Sequence, residues 1–246
     1  MTVTQNSKTP TMLFQVLTLF PEVFPGTAGT SVVGKALNAG IWNLKLFDIR
    51  KFSDNKYNSV DDEPFGGGPG MIMRPDILVK AIDSATSKIP TKSNARLFCL
   101  SPRGTPFNQK IAQELSKIDI ITLICGRYEG IDERVFFSRK IEEISIGDFI
   151  LSGGEQAALL LIDAVVRLLP GVVGDSDSLN EETFVDNLLE YPHYTRPKVW
   201  NNYHVPDILL SGHHEKIKDW RKRQAEEITR KRRPDLWQRY ILNKTR

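Results

Sequence analysis

The sequence predicts an α/β protein with a mostly parallel sheet, joined to a small basic helical domain at its C-terminal end. Two patterns carry this expectation. Apolar, strand-like runs alternate with helical segments over residues 13–169, as in βαβ units where helices carry the chain between parallel strands. Charge is also divided along the chain. Residues 191–246 hold 14 Lys and Arg against 6 Asp and Glu, a net +8, whereas residues 1–190 hold 19 against 24, a net −5. The overall charge of +3 hides that contrast. A basic end on a slightly acidic body suggests a polyanionic partner for the end.

The elements follow in order. Residues 13–19 read as a buried strand, 30–39 as a short helix stopped by Gly40, and 41–47 as a second, alternating strand. A polar stretch ends in Gly66-Gly-Gly-Pro-Gly70, and residues 77–87 look helical. Residues 97–100 form a strand, followed by Ser101-Pro-Arg-Gly104 and a helix over 107–116. Residues 118–125 are the most apolar strand and run into Gly126-Arg-Tyr-Glu-Gly130; residues 141–146 are another strand. Ser152 and Glu155 have the spacing of a capping box, which should fix the start of a helix over 153–169. Its apolar stripe is Leu160, Leu161, Ala164, Val165 and Leu168, and Pro170-Gly171 ends it. Residues 213–232 read as a basic helix carrying Trp220, and a shorter helix holds Leu236, Trp237 and Tyr240.

The expected organisation is therefore a disordered extension over 1–12, a main domain over 13–171, a flexible linker over 172–187 and a helical domain over 188–246. No apolar run approaches the roughly 20 residues needed to span a bilayer, and the polar N-terminus lacks a secretory pattern, so a cytoplasmic location is expected. Cys99 and Cys125 lie in apolar runs and read as reduced core residues without metal-ligand spacing.

Three glycine-bearing turns each follow an apolar strand: Leu100-Ser-Pro-Arg-Gly104, Gly126-Arg-Tyr-Glu-Gly130 and Ile146-Gly-Asp-Phe-Ile-Leu-Ser-Gly-Gly154. Parallel sheets bind ligands at the carboxyl ends of their strands. Glycines there expose backbone N–H and C=O groups to a close ligand. Gly66–Gly70 is not followed by Lys-Ser/Thr, so it is not a phosphate-binding P-loop, and it is a poor dinucleotide fingerprint. That argues against a dinucleotide oxidoreductase and for a compact ligand such as a nucleoside.

Further blocks sharpen the reading: Leu19-Phe-Pro-Glu-Val-Phe24, Val60-Asp-Asp-Glu-Pro-Phe-Gly-Gly-Gly-Pro-Gly-Met71, Cys125-Gly-Arg-Tyr-Glu-Gly-Ile-Asp-Glu-Arg134, Ser145-Ile-Gly-Asp-Phe-Ile-Leu-Ser-Gly-Gly-Glu155, Pro192-His-Tyr-Thr-Arg-Pro197 and Leu210-Ser-Gly-His-His214. In this order they resemble the bacterial tRNA (guanine-N1)-methyltransferase family, among the methyltransferases with a trefoil knot. The resemblance implies methyl transfer from S-adenosylmethionine to guanine N1 at tRNA position 37, just 3′ of the anticodon. It implies a deep knot in the C-terminal part of the main domain, and a homodimer whose active sites are shared between subunits. It also implies a magnesium requirement, for which no motif marks a site.

Carried over residue by residue, the cofactor site comprises Leu100, Ser101, Pro102, Gly126, Tyr128, Glu129, Gly130, Ile146, Gly147, Asp148, Phe149, Ile150, Leu151, Gly153 and Gly154. Glu129 would set a carboxylate near the sulfonium. Guanine N1 must lose its proton as it is methylated, which calls for a general base, and a cation near O6 would stabilise the developing charge. The family pattern has an Asp as base at a fixed distance before His193; here that position is Glu182. Asp177 restores an Asp-Ser pair but breaks the spacing. The partner cation is Arg167, fifteen positions before Glu182. Glu63 departs from the basic or neutral residue usual in relatives. Lys216, Lys218, Arg221, Lys222, Arg223 and Arg230 to Arg233 are expected to pair with tRNA phosphates, giving affinity without sequence choice. The alternatives are a methyltransferase of the same fold acting on another base or a ribose, and a tRNA-binding protein without catalysis. A ribose methylase would not need Glu182 as an N1 base, and intact cofactor loops argue against loss of catalysis.

Overall fold

The computed structural model describes residues 12–173 and 183–244. The chain divides into two compact units, Met1–Gly174 and Asp175–Arg246. Within the first unit, strands β1 (Met12–Thr18), β2 (Trp42–Asp48), β5 (Ala95–Pro106), β6 (Ile120–Cys125) and β7 (Glu142–Ser145) form one sheet in the order β2-β1-β6-β5-β7. All its pairings are parallel. The two-residue strands β3 (Asp61–Asp62) and β4 (Ile72–Met73) pair separately. The first strand begins at Met12, which is buried and paired with Trp42, one residue ahead of the expected domain start. The expected extension otherwise lies outside the described residues, as do Asp177 and Glu182.

Strands covered by helices on both faces should read as continuous apolar runs. β6, Ile-Ile-Thr-Leu-Ile-Cys, is buried at every position. Its neighbours alternate between two cores. Phe14, Val16, Phe98 and Leu100 pack with α1 (Ser31–Asn38), α3 (Gln109–Leu115) and α5 (Glu155–Val166). Leu17, Leu19 and Cys99 pack with α2 (Pro75–Thr86) and α4 (Arg134–Ser138) on the other face. The one polar pair in the middle of the sheet is satisfied, as burial demands: Thr122 Oγ1 donates to Gln15 Oε1 at 2.9 Å, directly across the β1–β6 register. Trp42 is fully buried; its indole donates to the carbonyl of Val33 at 3.0 Å and its ring meets Phe14 edge-on. This ties α1 to the sheet edge.

Two local expectations need correction. Ser101-Pro-Arg-Gly104 is not a turn leading to a helix. It is an irregularity inside the long strand β5, where Ile144 pairs with both Leu100 and Thr105. The segment between them bends out and passes so close to β7 that Gly104 lies against the Glu143–Ile144 backbone. Helix α3 starts only at Gln109, with the Asn108 side chain accepting from the Ile111 N–H at 3.1 Å. The second correction concerns α5. It spans Glu155–Val166, shorter than expected, with Gly154 as N-cap and no side-chain cap. Leu160 is 46% exposed and belongs to the outer face, while Ala157, Ala158, Ile162 and Val166 fill the stripe.

The second unit contains the two-residue strands β8 (Val199–Trp200) and β9 (Tyr203–His204), followed by α6 (Asp207–Leu210), α7 (His214–Arg232) and α8 (Pro234–Lys244). Leu236 and Tyr240 of α8 and Ala225 of α7 are buried. Thr229 Oγ1 donates to Ala225 O at 2.6 Å and accepts from the Leu189 N–H at 2.8 Å, pinning the chain before the hairpin to α7.

A methyl group on Gly104 would overlap the backbone of β7, which cannot rotate away. Gly104→Ala is expected to cost about 1–3 kcal/mol and lower Tm by roughly 3–10 °C in a calorimetric scan. Gly126→Ala is the matched control, because its added methyl would meet nothing nearer than 3.8 Å; its melt should move by no more than about 1–2 °C. Equal shifts would contradict the close crossing of β5 over β7.

Candidate active site

The carboxyl ends of β5, β6 and β7 open into one cavity of about 460 Å³. Strand β6 delivers Gly126 to Gly130, β5 delivers Leu100 to Arg103, and β7 delivers Ser145 to Gly147. From β7 the chain returns across the same strand ends, through Phe149 to Gly154, before entering α5. The Gly154 N–H donates to Gly126 O at 3.0 Å and closes this return segment onto the second turn. The cavity thus brings together Leu100, Ser101, Pro102, Gly126, Tyr128, Glu129, Gly130, Ile146, Gly147, Phe149, Ile150, Leu151, Gly153 and Gly154. Asp148 does not line it. Phe149 folds back across the turn instead: its N–H donates to Gly147 O at 3.0 Å and its ring lies against Gly147.

The glycine-rich stretch between β3 and β4 is anchored to the cavity wall. The Glu129 N–H donates to Met71 O at 3.0 Å, the Met73 N–H donates to Gly130 O at 2.9 Å, and the Glu129 side chain lies against Gly70. Tyr128 holds a left-handed backbone (φ 60°) and is half exposed. Partial burial, then the nearby Asp61 carboxylate, push its phenol above the ordinary value. Glu63 and Phe65 lie on the exposed part of this loop, and Phe65 is 99% exposed. Nothing in the structure explains why position 63 is acidic.

The expected capping box is replaced by a buried ion pair. Glu155 is 2% exposed. Its Oε1 accepts from Thr18 Oγ1 at 2.7 Å, and its Oε2 lies 2.9 Å from Arg127 Nη2. That second approach is a charge contact without a well-aligned hydrogen bond. Thr18 Oγ1 also accepts from the Phe20 N–H at 2.9 Å, Arg127 Nη1 donates to Ser152 O at 3.1 Å, and the Arg127 guanidinium sits 4.3 Å from the Phe20 ring centroid. A carboxylate shut away from water gains more from an arginine and a hydroxyl than from a helix-end amide, so Glu155 faces inward. Gly153 is required beside it, since a Cβ there would fall on the guanidinium. Arg127 and Glu155 were not among the expected site residues. Their signal is an arginine inside the glycine turn, two residues after the most apolar strand, and an acid at the start of an apolar helix.

Arg103 also lines the cavity and was not expected there. It reaches Glu133 at 3.1 Å and Glu143 at 3.2 Å, and those carboxylates raise its pKa further. Cys99, at the cavity floor, is pushed up to about 12 by burial, so it stays a thiol. Arg167 is the residue just after α5, its C-cap, where a cation is also favoured by the helix dipole. Among the described residues, no three side chains of His, Cys, Asp or Glu come together as a metal-ligand set, and no helix is long and apolar enough to cross a membrane.

A parallel α/β unit whose strand ends form a cavity lined by glycine backbone, apolar side chains, the carboxylates Glu129 and Glu143 and the cations Arg103 and Arg127 belongs to the class whose cavities have the size and lining suited to a compact, nucleoside-sized ligand. Comparison narrows the class. Residues 12–239 match the family model described as tRNA (guanine-1)-methyltransferase TrmD, and the chain belongs to that family. It is 54% identical to the tRNA (guanine-N(1)-)-methyltransferase of Rhodospirillum rubrum, over 94% of each chain. It is 53% identical to the protein of that name from Pelagibacter ubique, over 93% of this chain and 98% of the relative. It is 54% identical to the one from Bartonella bacilliformis, over 95% and 99%.

Glu155→Gln would leave the Arg127 charge without its partner. Arg127 keeps some contact with solvent, its side chain being 22% exposed, so the cost should fall below that of a fully enclosed pair. A loss of about 2–3 kcal/mol in urea denaturation is expected. A wild-type midpoint would show that the pair does not hold the strand ends together.

Proposed function

We propose that this protein transfers the methyl group of S-adenosylmethionine to N1 of a tRNA guanine, at position 37 beside the anticodon. The observation that carries the reading is the convergence of the three glycine-bearing segments on one cavity, in a chain that belongs to the tRNA (guanine-1)-methyltransferase family. The cavity volume suits a nucleoside with a short charged tail. Leu100 to Pro102, Gly126, Tyr128 to Gly130, Ile146, Gly147, Phe149 to Leu151, Gly153 and Gly154 would hold the cofactor; Asp148, expected with them, does not line the cavity. When bound, S-adenosylmethionine supplies an electrophilic methyl group on a sulfonium. Backbone groups at Gly126 and Gly153 can read an adenine edge, with Gly154 fixing the segment through its bonds to Gly126 O and the Ala158 N–H, while Leu100, Ile146 and Leu151 cover the adenine faces. Glu129 contributes a carboxylate at the cavity wall, where a positive sulfonium gains from it.

The acceptor's chemistry assigns the remaining roles. N1 of guanine keeps its proton near neutrality, so Glu182 would accept it as the methyl arrives. Arg167 would stabilise the charge that builds on O6. A base in a tRNA loop can be turned out to reach such a site. The basic α7, with Lys216, Lys218, Arg221, Lys222 and Arg223, would grip phosphates. Magnesium is given no site.

The family resemblance also supports a deep knot, and the passage of β5 around β7 followed by the return of residues 146–154 across β5 and β6 is the crossing it would use. A homodimer with the active site at its interface fits the exposed apolar residues Val32, Phe149, Ile150, Leu151 and Leu160 beside the cavity. A cytoplasmic location, where tRNA is, goes with this activity; most of the expected linker over 172–187 lies outside the described residues, and its end forms a short 3-10 turn over Val185–Asn187.

The direct test is incubation with unmodified tRNA transcripts and labelled cofactor, followed by mapping of the methylated nucleotide. N1-methylguanosine at position 37 is the expected product; label on another base or on ribose would replace this reading. Glu182→Gln should keep cofactor affinity and lose about 10²–10⁴-fold in single-turnover rate. A rate within a factor of about three of wild type would remove Glu182 as the base.

A further inference from the structure

We infer that the β8–β9 hairpin of the second unit is a stacking platform for unpaired RNA bases, with Trp200 and Tyr203 as the stacking side chains. The hairpin has a two-residue loop, Asn201-Asn202, with both residues in the left-handed region (φ 48° and 64°). Asparagine tolerates that conformation, and two consecutive positive φ values match the twist of a tight hairpin. The register sets Trp200 directly opposite Tyr203. Residues opposite one another share a face, so both rings project to the same side. The Val205 N–H donates to Lys198 O at 3.0 Å and extends the pairing by one step, and strand alternation then puts Lys198 on the side of the rings.

Both rings are left to solvent: Trp200 is 65% and Tyr203 is 74% exposed. Large aromatic residues are costly to leave in water, and two on one short hairpin mark a binding surface. Its charge selects the occupant. Residues 191–206 contain no Asp or Glu, but they hold Arg196 and Lys198. A protein surface rich in carboxylates could answer those cations, but it would not need two parallel-sided rings beside them. A strand of RNA offers both parts at once, phosphates for Arg196 and Lys198 and flat base faces for Trp200 and Tyr203. The rings beside the helix α7 cations are engaged within the unit: the Arg221 guanidinium lies 4.8 Å from the Tyr191 ring centroid, and Tyr194 lies 6.3 Å from Trp220. The two surfaces of the second unit thus divide the work: α7 holds backbone, the hairpin holds bases.

This inference rests on the proposal that tRNA is the substrate. The test measures tRNA affinity and its salt dependence for the full-length protein and for Trp200→Ala, Tyr203→Ala and Lys198→Ala. Loss of one stacked base should weaken binding by about fivefold to a hundredfold. Because stacking releases no counterions, the slope of log Kd against log salt should be unchanged in Trp200→Ala and Tyr203→Ala. Lys198→Ala should instead flatten that slope by roughly 0.7–0.9, one phosphate contact. Trp200→Phe should restore most of the affinity, and cofactor affinity should be the same in all four variants. Wild-type affinity for tRNA in Trp200→Ala and Tyr203→Ala would overturn the inference while leaving the substrate assignment intact. A change of molecular mass in sedimentation by either variant would overturn it in favour of a contact between copies of the chain. Failure of the wild-type protein to bind tRNA would overturn both.

Discussion

The ion pair between Arg127 and Glu155 holds three separate pieces of chain at the ends of the strands. Glu155 begins α5, Arg127 leaves β6, and Thr18 ends β1. Apolar side chains of similar size could fill that volume with equal stability. They would not fix the angle at which each segment leaves the sheet, because hydrophobic contact has no direction. The carboxylate has two oxygens and spends them on two different elements. The guanidinium then extends the link to the Ser152 carbonyl and to Phe20. The backbone of the third cavity segment is therefore positioned from beneath, and its glycines are needed for that packing: Gly153 sits against the Arg127 guanidinium and Gly154 against the Cys125 backbone.

Topology supplies what that pair cannot. From β6 the chain skips its neighbour β5 and adds β7 at the edge of the sheet. It must then recross β5 and β6 to place α5 on the core face. The recrossing segment passes over the carboxyl ends of three strands, and this is why one cavity is walled by residues far apart in sequence. The outward bend of β5 at Ser101 to Gly104 belongs to the same arrangement, since it lets one strand contact both sides of Ile144. The three walls are thus consequences of a single strand order, and none of them is an independent loop that could drift.

Much of this was legible in the sequence, for physical reasons that differ between elements. Strand β6 could be read because a strand buried on both faces must be apolar throughout. Helices α2 and α7 could be read from their periodicity and charge. The parallel sheet followed from the alternation of the two patterns. The capping box could not be judged, because Ser-x-x-Glu has the same spacing whether the acid turns back to its own helix or inward to an arginine elsewhere in the chain. That choice is made by Thr18 and Arg127, which lie 137 and 28 positions away in sequence from Glu155. Leu160 was misread for a related reason. On a helix of near-continuous apolar character the sequence does not say which side is core, and the neighbouring turns decide it. The hairpin at Asn201-Asn202 escaped notice because its strands are two residues long, too short for any alternation to register.

The proposed chemistry asks two opposite things of the protein. The cofactor side needs a fixed, dry wall where backbone groups are already aimed, and the buried ion pair and recrossing strand ends provide stiffness there. The RNA side must accept a partner whose backbone is uniformly charged and whose loop bases are mobile. Long lysine and arginine side chains on α7 suit the first property, since a phosphate can be met from many rotamers. Flat rings on a tight hairpin suit the second, since stacking tolerates any base. Base choice is then left to the position where stiffness is greatest, at the cavity, and affinity to the positions where it is least. A protein arranged in this way can bind many tRNAs through the same basic unit and still restrict methyl transfer to the base that reaches the strand ends.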